Sequence, residues 1–565
     1  MESQDNSQYA GEAPVFPSKD FECNQGSFDE TDASSPQHAG DYDVIVVGGG
    51  ISGLSSAWKL RERRLLVLDQ RDRFGGAARL EQRDGLLYAS GASCFQLPTG
   101  DNEVSHLLQD LDLWNQWRST AEDTLVIFDT KRLMKGLGEV TAALLKQPKE
   151  LLKPAVWGLT ANLLYSAMSG KPFISAEKKL GDPMFAELFQ YLNRFTPDSG
   201  KHPAMPWREG CDWTREEMEL FDSVSLHDLL FDPATRRSLP QHLVPRHRFG
   251  SLVKDAVETT LRVECLAIKD VSAYVGLHFL VGYLYRPLVT FPGGNGYIAD
   301  RIRQRLMSTG SCKFKAGSRA YSITQNQEGV KVCFQQEGKN YYANAKALIW
   351  AGAKHAAVSV VDELPPQQIA AIAEIEHRDY AIAGVYLKKA ALTNYFGGYV
   401  IEGDIGGRYP NSWCRSGVCL AANWKDPSYA GDLGVLTLLK PISGAADQGK
   451  LDKADFRSLQ QTAYGEVRDM LIATGHSPDL IEDIKLWRWP GGLVVSKVGQ
   501  MKHDVFTNAS QPVGAVFFAN QDSVGMGNME SAIWAGCHAA DQVRQHIRSH
   551  SSVVSHIGDY AATQS

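Results

Sequence analysis

What the sequence lacks narrows the field first. Its nine cysteines are scattered over 565 residues with no CxxC pair and no zinc-ligand spacing, which argues against a disulfide framework or metal site and predicts free thiols in a reducing compartment. The chain does not open on a basic segment followed by an apolar one, so cytoplasmic residence is the expectation. No run supplies the roughly 20 clean apolar residues that span a bilayer. The two nearest cases are 156–168, behind the run KQPKELLK, and 271–289, which contains His278 and Arg286. Both read as core helices, and the first also suits weak contact with a membrane surface. A basic stripe is missing too: 58 Lys and Arg stand against 65 Asp and Glu, a net charge of -7. That balance argues against nucleic acid as the main partner and leaves a small-molecule substrate.

What is present is ordinary globular composition, 43% hydrophobic and 22% charged, in a chain long enough for two or more domains. Residues 1–40 are rich in Ser, Asp, Gln and Gly and read as a flexible arm. Structure is expected from Asp41, where YDVIVV has the uninterrupted β-branched character of a parallel strand covered on both faces. Residues 101–289 read mostly as helix, including a Leu-rich segment at 138–168. SRAYSITQ, GVKVCFQQ, NYYANA and KALIWAG, between 318 and 352, read as a β-meander leading into a buried strand. AVFFAN at 515–520 reads as a second buried strand and NMESAIWAGCHAADQV as a helix.

The first strand runs into GGGISG, placing Gly48, Gly50 and Gly53 in GxGxxG register ahead of a small-residue helix. Gly48 allows the tight turn, Gly50 lets backbone approach a pyrophosphate at the helix N-terminus, and Gly53 allows close helix–sheet packing. The next strand, RLLVLD, ends in Asp69, about 20 residues on, where a carboxylate accepts from ribose hydroxyls and repels a 2′-phosphate. NAD and FAD remain. The next segment, DRFGGAAR, adds Arg73 and a second glycine doublet, Gly75 and Gly76, for which an NAD site has no need.

With that doublet the sequence resembles the glycine-doublet flavoproteins, the superfamily of flavin amine oxidases, polyamine oxidases and phytoene desaturases. The resemblance implies an α/β fold: a discontinuous Rossmann-like FAD-binding domain with a mixed helical and sheet substrate domain. FAD would be held by Gly48, Gly50, Gly53, Asp69, Arg73, Gly75 and Gly76, with Ala320 in the same set. At the other end AVFFANQDSVGMGNMESAIWAGCHAA resembles the family's closing motif. It implies Asp522 near the ribityl or phosphate part of FAD and backbone donors from Gly527, Asn528 and Met529 at the pyrimidine end, where a helix N-terminus stabilises negative charge. The FAD domain is expected from 41–100, 290–355 and 505–548, the substrate domain from 101–289 and 356–504, and a tail from 549–565.

GSFDE near 27, the glycine motif, DRFGG, FPGGNGYIADRI, ALIWAG, RWPGG and FANQDS, in this order, resemble the bacterial spermidine dehydrogenase-like flavoproteins. Three positions depart from that pattern. Ala77 and Gly491 stand where histidines are expected, and the lysine that many amine oxidases keep near flavin N5 is missing: EHRDYAIAGVYLKK offers His377, Arg378 or Asp379, with Lys388 and Lys389 too late.

The resemblance implies an FAD-dependent oxidoreductase that takes an amine C–N bond to an imine by hydride transfer to flavin. No catalytic triad is needed, because the cofactor carries the electron chemistry and the protein supplies position and electrostatics. Trp487 and Trp489, one residue apart in an extended strand, share a face, which either walls the substrate cavity, the side to which the resemblance assigns it, or packs into the core; His377 and Arg378 are candidates for orienting substrate or moving a proton. The stretch from RWPGG to FAN holds only His503 as a possible covalent anchor, so noncovalent FAD is expected. Two other functions fit the same motifs: a desaturase or double-bond isomerase of an apolar substrate, and a nonredox FAD-binding scaffold.

Overall fold

The computed structural model describes residues 16–22, 35–98, 100–119, 124–127, 133–135, 183–246, 249–286, 288–393, 397–400, 413, 419–424, 426, 428–442 and 455–562. The expectations for 138–168, 156–168 and the GSFDE run lie outside these residues.

A seven-stranded sheet carries the glycine motifs. Its order is Cys312–Lys315, Leu65–Leu68, Gln37–Val47, Lys339–Trp350, Gly329–Gln336 and Ser318–Asn326, with Val516–Phe518 also on Lys339–Trp350. The central strands are parallel and the last two are antiparallel. Val44, Ile45 and Val46 have no exposed surface, as uninterrupted β-branched runs require when helices cover one face and sheet the other. NYYANA and KALIWAG form one continuous strand, Lys339–Trp350, because the first strand pairs with it from Tyr341 to Trp350 while the meander pairs on its other side from Lys339 to Ala345.

The first strand starts at Gln37, before the expected Asp41, across a register shift between His38 and Asp41. The flexible-arm expectation is also corrected for 16–22. Phe16 is buried in the core beside the helix Asp455–Ala473, its ring 5.6 Å from that of Tyr464, while Phe21 meets Phe456 edge-on. Ser18 Oγ donates to Asp483 at 2.8 Å. At the other end the helix Met529–Ala562 runs through most of the expected tail.

The second sheet has the order Cys419–Ala421, Gly434–Pro441, Glu376–Leu387 and Ile481–Val495. A helical core built around Ala273–Tyr285 packs beside it. His278 sits inside that core, its Nδ1 2.7 Å from the Pro203 carbonyl oxygen, and burial pushes its pKa down to about 3. No helix among the described residues is long and apolar enough to cross a membrane.

Candidate active site

The two glycine motifs meet back to back. Gly48 has φ +110°, and a Cβ there would lie 2.8 Å from the Ala351 carbonyl carbon; one on Gly53 would lie 1.9 Å from the Gly48 oxygen. Both contacts press the turn against the sheet and against its own helix, Ile51–Lys59. Gly50 N-caps that helix with no side-chain hydrogen bond, leaving first-turn N–H groups for an anion. Gly75 donates to the Gly49 oxygen at 2.8 Å, and a Cβ on Gly76, at φ +59°, would lie 2.8 Å from Gly50 Cα. Only paired glycines permit this approach, and the cradle they form suits a diphosphate.

Asp69 is 7% exposed and braces the cradle, accepting from Gly49 N–H at 2.7 Å and Arg71 N–H at 2.8 Å. Burial pushes its pKa up against those two donors. Ser318 N–H donates to the Asp69 carbonyl oxygen, which brings Ala320 close by; its methyl is packed into the sheet core, so its backbone is what can face a cofactor. The choice of Arg73 is corrected. Its side chain is 57% exposed and bonded to Glu81 at 2.9 Å, because the turn after Asp69 sends it outward. Arg71 points inward instead, over the Trp489 ring at 5.0 Å from its centroid, and has no carboxylate partner among the described residues. Sequence reasoning missed it, although its place between acid and doublet was a signal.

The closing segment returns through Val516–Phe518, after which Asn520 N–H donates to Ser52 Oγ at 2.9 Å. Gly536 lets the helix Met529–Ala562 cross the glycine helix, since a Cβ there would lie 2.2 Å from the Ser52 oxygen. Asn528 Oδ1 caps the closing helix by accepting from Ser531 N–H at 2.9 Å, and Met529 packs into the core. The N–H groups of Gly527, Asn528 and Met529 meet no backbone acceptor among the described residues, as donors reserved for a flavin would.

Asp522 is a correction. A group that touches FAD keeps accessible surface when no ligand is present, and Asp522 has none. One oxygen sits 2.9 Å from His377 Nε2, and the other accepts from Lys354 N–H at 2.9 Å. Desolvation opposes the charge, but His377 and Lys354 hold the carboxyl well below its usual range. His377 is corrected with it: its Nε2 is engaged by the buried Asp522 carboxylate and is not a free base. Lys354, fully buried, is a residue the sequence did not single out. Its ammonium donates to Ala519 O, Asn520 Oδ1 and Ser523 Oγ, using all three protons on structure, and burial pushes its pKa down to about 8.

Trp487 and Trp489 share a face as expected, but that face is packed. Both are buried, in a cluster with Leu86, Tyr88, Ile382, Val435 and Leu439. Trp487 lies against Gly384 and is a core residue, which corrects its place in a substrate wall. Trp489 donates from Nε1 to the Ser90 oxygen at 2.8 Å and meets Arg71, so it walls the cofactor cradle. Arg378 is bound to Glu376, which corrects its reading as a free substrate-orienting group.

The inner cavity is built by other residues. Cys94, Glu264, Tyr283, Tyr380 and Glu530 each keep partial accessible surface while lying deep enough for burial to dominate their protonation. They therefore line an internal space. The segment before Cys94 runs close to the doublet loop: a Cβ on Gly91 would lie 2.0 Å from the Ala77 oxygen, and Ala92 N–H donates to that oxygen at 2.7 Å. Burial pushes Glu264 up to about 7, and Tyr283 donates its hydroxyl to it. A separate cleft is lined by Tyr88, Ser93, Arg118, Thr290 and Trp424. Nothing in the sequence marked these residues, because they are brought together from five distant segments.

Comparison with known proteins agrees with this geometry. The flavin containing amine oxidoreductase family matches residues 51–544. Oxidoreductase PigB of Serratia sp. (strain ATCC 39006) is 42% identical over 540 residues, 96% of this chain and 80% of that protein. Among solved structures, a double mutant of putrescine oxidase has a TM-score of 0.55 at 16% identity over 90% of this chain and all of that one. A fatty acid isomerase from P. acnes has 0.54 at 14%, over 89% and 98%. At these identities the structures speak for the fold alone. The family match, the long PigB alignment and a cradle built for a dinucleotide lead to one statement: this chain belongs to the flavin containing amine oxidoreductase family, an oxidoreductase with FAD as its cofactor.

Proposed function

We propose that the protein oxidises an amine C–N bond of a small molecule to an imine, with FAD held noncovalently. The observation that carries this reading is the chemistry of the inner cavity, where two carboxylates, Glu264 and Glu530, lie among tyrosines. An apolar tunnel would serve an alkene; buried carboxylates serve a cationic or hydrogen-bonding nitrogen. FAD, when bound, supplies the acceptor of two electrons. Gly48 to Gly53 and Gly75 to Gly76 would hold its diphosphate, Arg71 would neutralise it, Asp69 would meet the ribose, and the N–H groups of Gly527 to Met529 would face the ring. The remaining side chains position the substrate and exclude water. The free thiols among the described residues support a reducing, cytoplasmic setting.

Anaerobic mixing of the FAD-loaded protein with a panel of amines and of apolar alkenes, followed by flavin absorbance, tests the reading. Bleaching by an amine is the expected outcome. Bleaching by alkenes alone, or by nothing in either panel, would overturn it.

A further inference from the structure

We propose that Glu264 is the proton acceptor for the incoming substrate: its carboxylate takes a proton from the ammonium and holds the neutral nitrogen in the inner cavity. This rests on the amine reading and assigns the work to one residue. Glu264 stands in the turn that follows the helix Ser251–Arg262, fixed by its N–H to the Leu261 oxygen at 3.0 Å and by Cys265 N–H to the Arg262 oxygen at 2.9 Å. The turn cannot swing it out of the cavity without breaking both bonds.

Its partners set it apart. Asp379 accepts from Gly491 N–H and from Arg488; Asp522 has His377 and Lys354; Glu466 takes Trp413 N–H on both oxygens; Glu530 accepts from Gln96 N–H at 2.8 Å and feels Arg286. Glu264 has the Tyr283 hydroxyl and, among the described residues, neither a cation nor a backbone donor. An ionised carboxylate so placed is costly unless a cation arrives. An alkylammonium entering this space supplies that cation.

The proton step balances by itself: R–NH3+ and the carboxylate become R–NH2 and the carboxylic acid, with no electron moved. The groups facing Glu264 are Tyr283, Cys94, Tyr380, Cys265 and Glu530. None of them is a cation, so none competes for the charge. Burial brings Glu264 near neutrality, and the same desolvation disfavours the ammonium, which together bring donor and acceptor into range of each other.

Calorimetric titration of the FAD-loaded protein at pH 8 tests this, with hexylamine and its uncharged analogue hexanol as probes, in buffers of different ionisation enthalpy. Wild type is expected to bind hexylamine with almost no proton released to buffer, because Glu264 keeps it. Glu264→Gln should bind hexylamine at least about tenfold more weakly and release about one proton per amine bound, with hexanol affinity unchanged. Tyr283→Phe, which leaves the carboxylate in place, should retain hexylamine binding and move its pH dependence upward. Equal affinity and equal proton count in wild type and Glu264→Gln would overturn the assignment while leaving the amine reading intact. Loss of both probes in both variants would assign the pair to packing and overturn it as well. Failure of wild type to bind hexylamine while an amine of the panel bleaches the flavin would overturn this proposal alone; bleaching by no amine at all would overturn the amine reading with it.

Discussion

Asp69→Ala removes two hydrogen bonds that brace the glycine turn as well as the acceptor for a ribose. Charge-assisted bonds of this kind are worth about 1.5–3 kcal/mol each. FAD affinity, measured by titrating the apoprotein, should therefore fall by about tenfold or more; unchanged affinity would remove the carboxylate from the cofactor site. The two tryptophans should separate in the same way. Trp487→Ala leaves a cavity against Gly384 and should cost about 3–5 kcal/mol of stability, with FAD lost only as the fold is lost. Trp489→Phe keeps the packing but deletes the bond to Ser90 and weakens the face offered to Arg71, so FAD affinity should drop while the melting temperature moves little. Equal behaviour of the two variants would show that Trp489 is core as well. These two residues also mark how far sequence carries at this scale. Alternation put them on one face, but only the packing of residues 86–88 against that face shows it to be buried, and a contact with a distant hairpin leaves no local trace in the pattern.

The joint between the sheets is an element-scale feature with a pH signature. His377 stands on a strand of the second sheet, Asp522 on the turn after the last strand of the first, and the pair is fully desolvated on the Asp side. Desolvation opposes the imidazolium, but Asp522 outweighs it and raises the His377 pKa above 6.5; the stability this gives is full below 6.5 and is lost as pH rises through the raised value. Asp522 is lowered from 3.8, so its share is present above that value and is lost as pH falls through the depressed one. Stabilisation from the pair is thus greatest between about 4 and 6.5. Above about 8 Lys354, held down by burial, pulls the other way. Melting temperature across pH should decline from 6.5 to 8 in wild type and lose that decline in His377→Asn; a parallel pair of curves would refute the linkage. Each group was legible in the sequence, Asp522 after the buried run AVFFAN and His377 in EHRDYAIAGVYLKK. Their pairing was not, since 145 residues separate His377 from Asp522 and hydrophobic period is blind to partners.

For the whole molecule, noncovalent FAD should leave on acid precipitation, giving a colourless pellet; a yellow pellet would reveal a covalent bond. FAD in excess should also raise the melting temperature in proportion to the logarithm of its concentration, because the cradle is made by segments from both ends of the chain. The dinucleotide half was readable from sequence because its glycines are dictated by local backbone geometry, whereas the inner cavity was unreadable because its residues share no spacing. One consequence concerns birth on the ribosome. The first strand, Gln37–Val47, has Lys339–Trp350 as one neighbour, and the last strand, Val516–Phe518, docks on that same neighbour. A nascent chain therefore carries the buried half of this strand, residues 44–47, with one flank unfilled until residues 339–350 have emerged, which leaves that edge open to pairing with other chains in the meantime. Slowing synthesis between residues 47 and 350 should lower soluble yield more than slowing it downstream of residue 350.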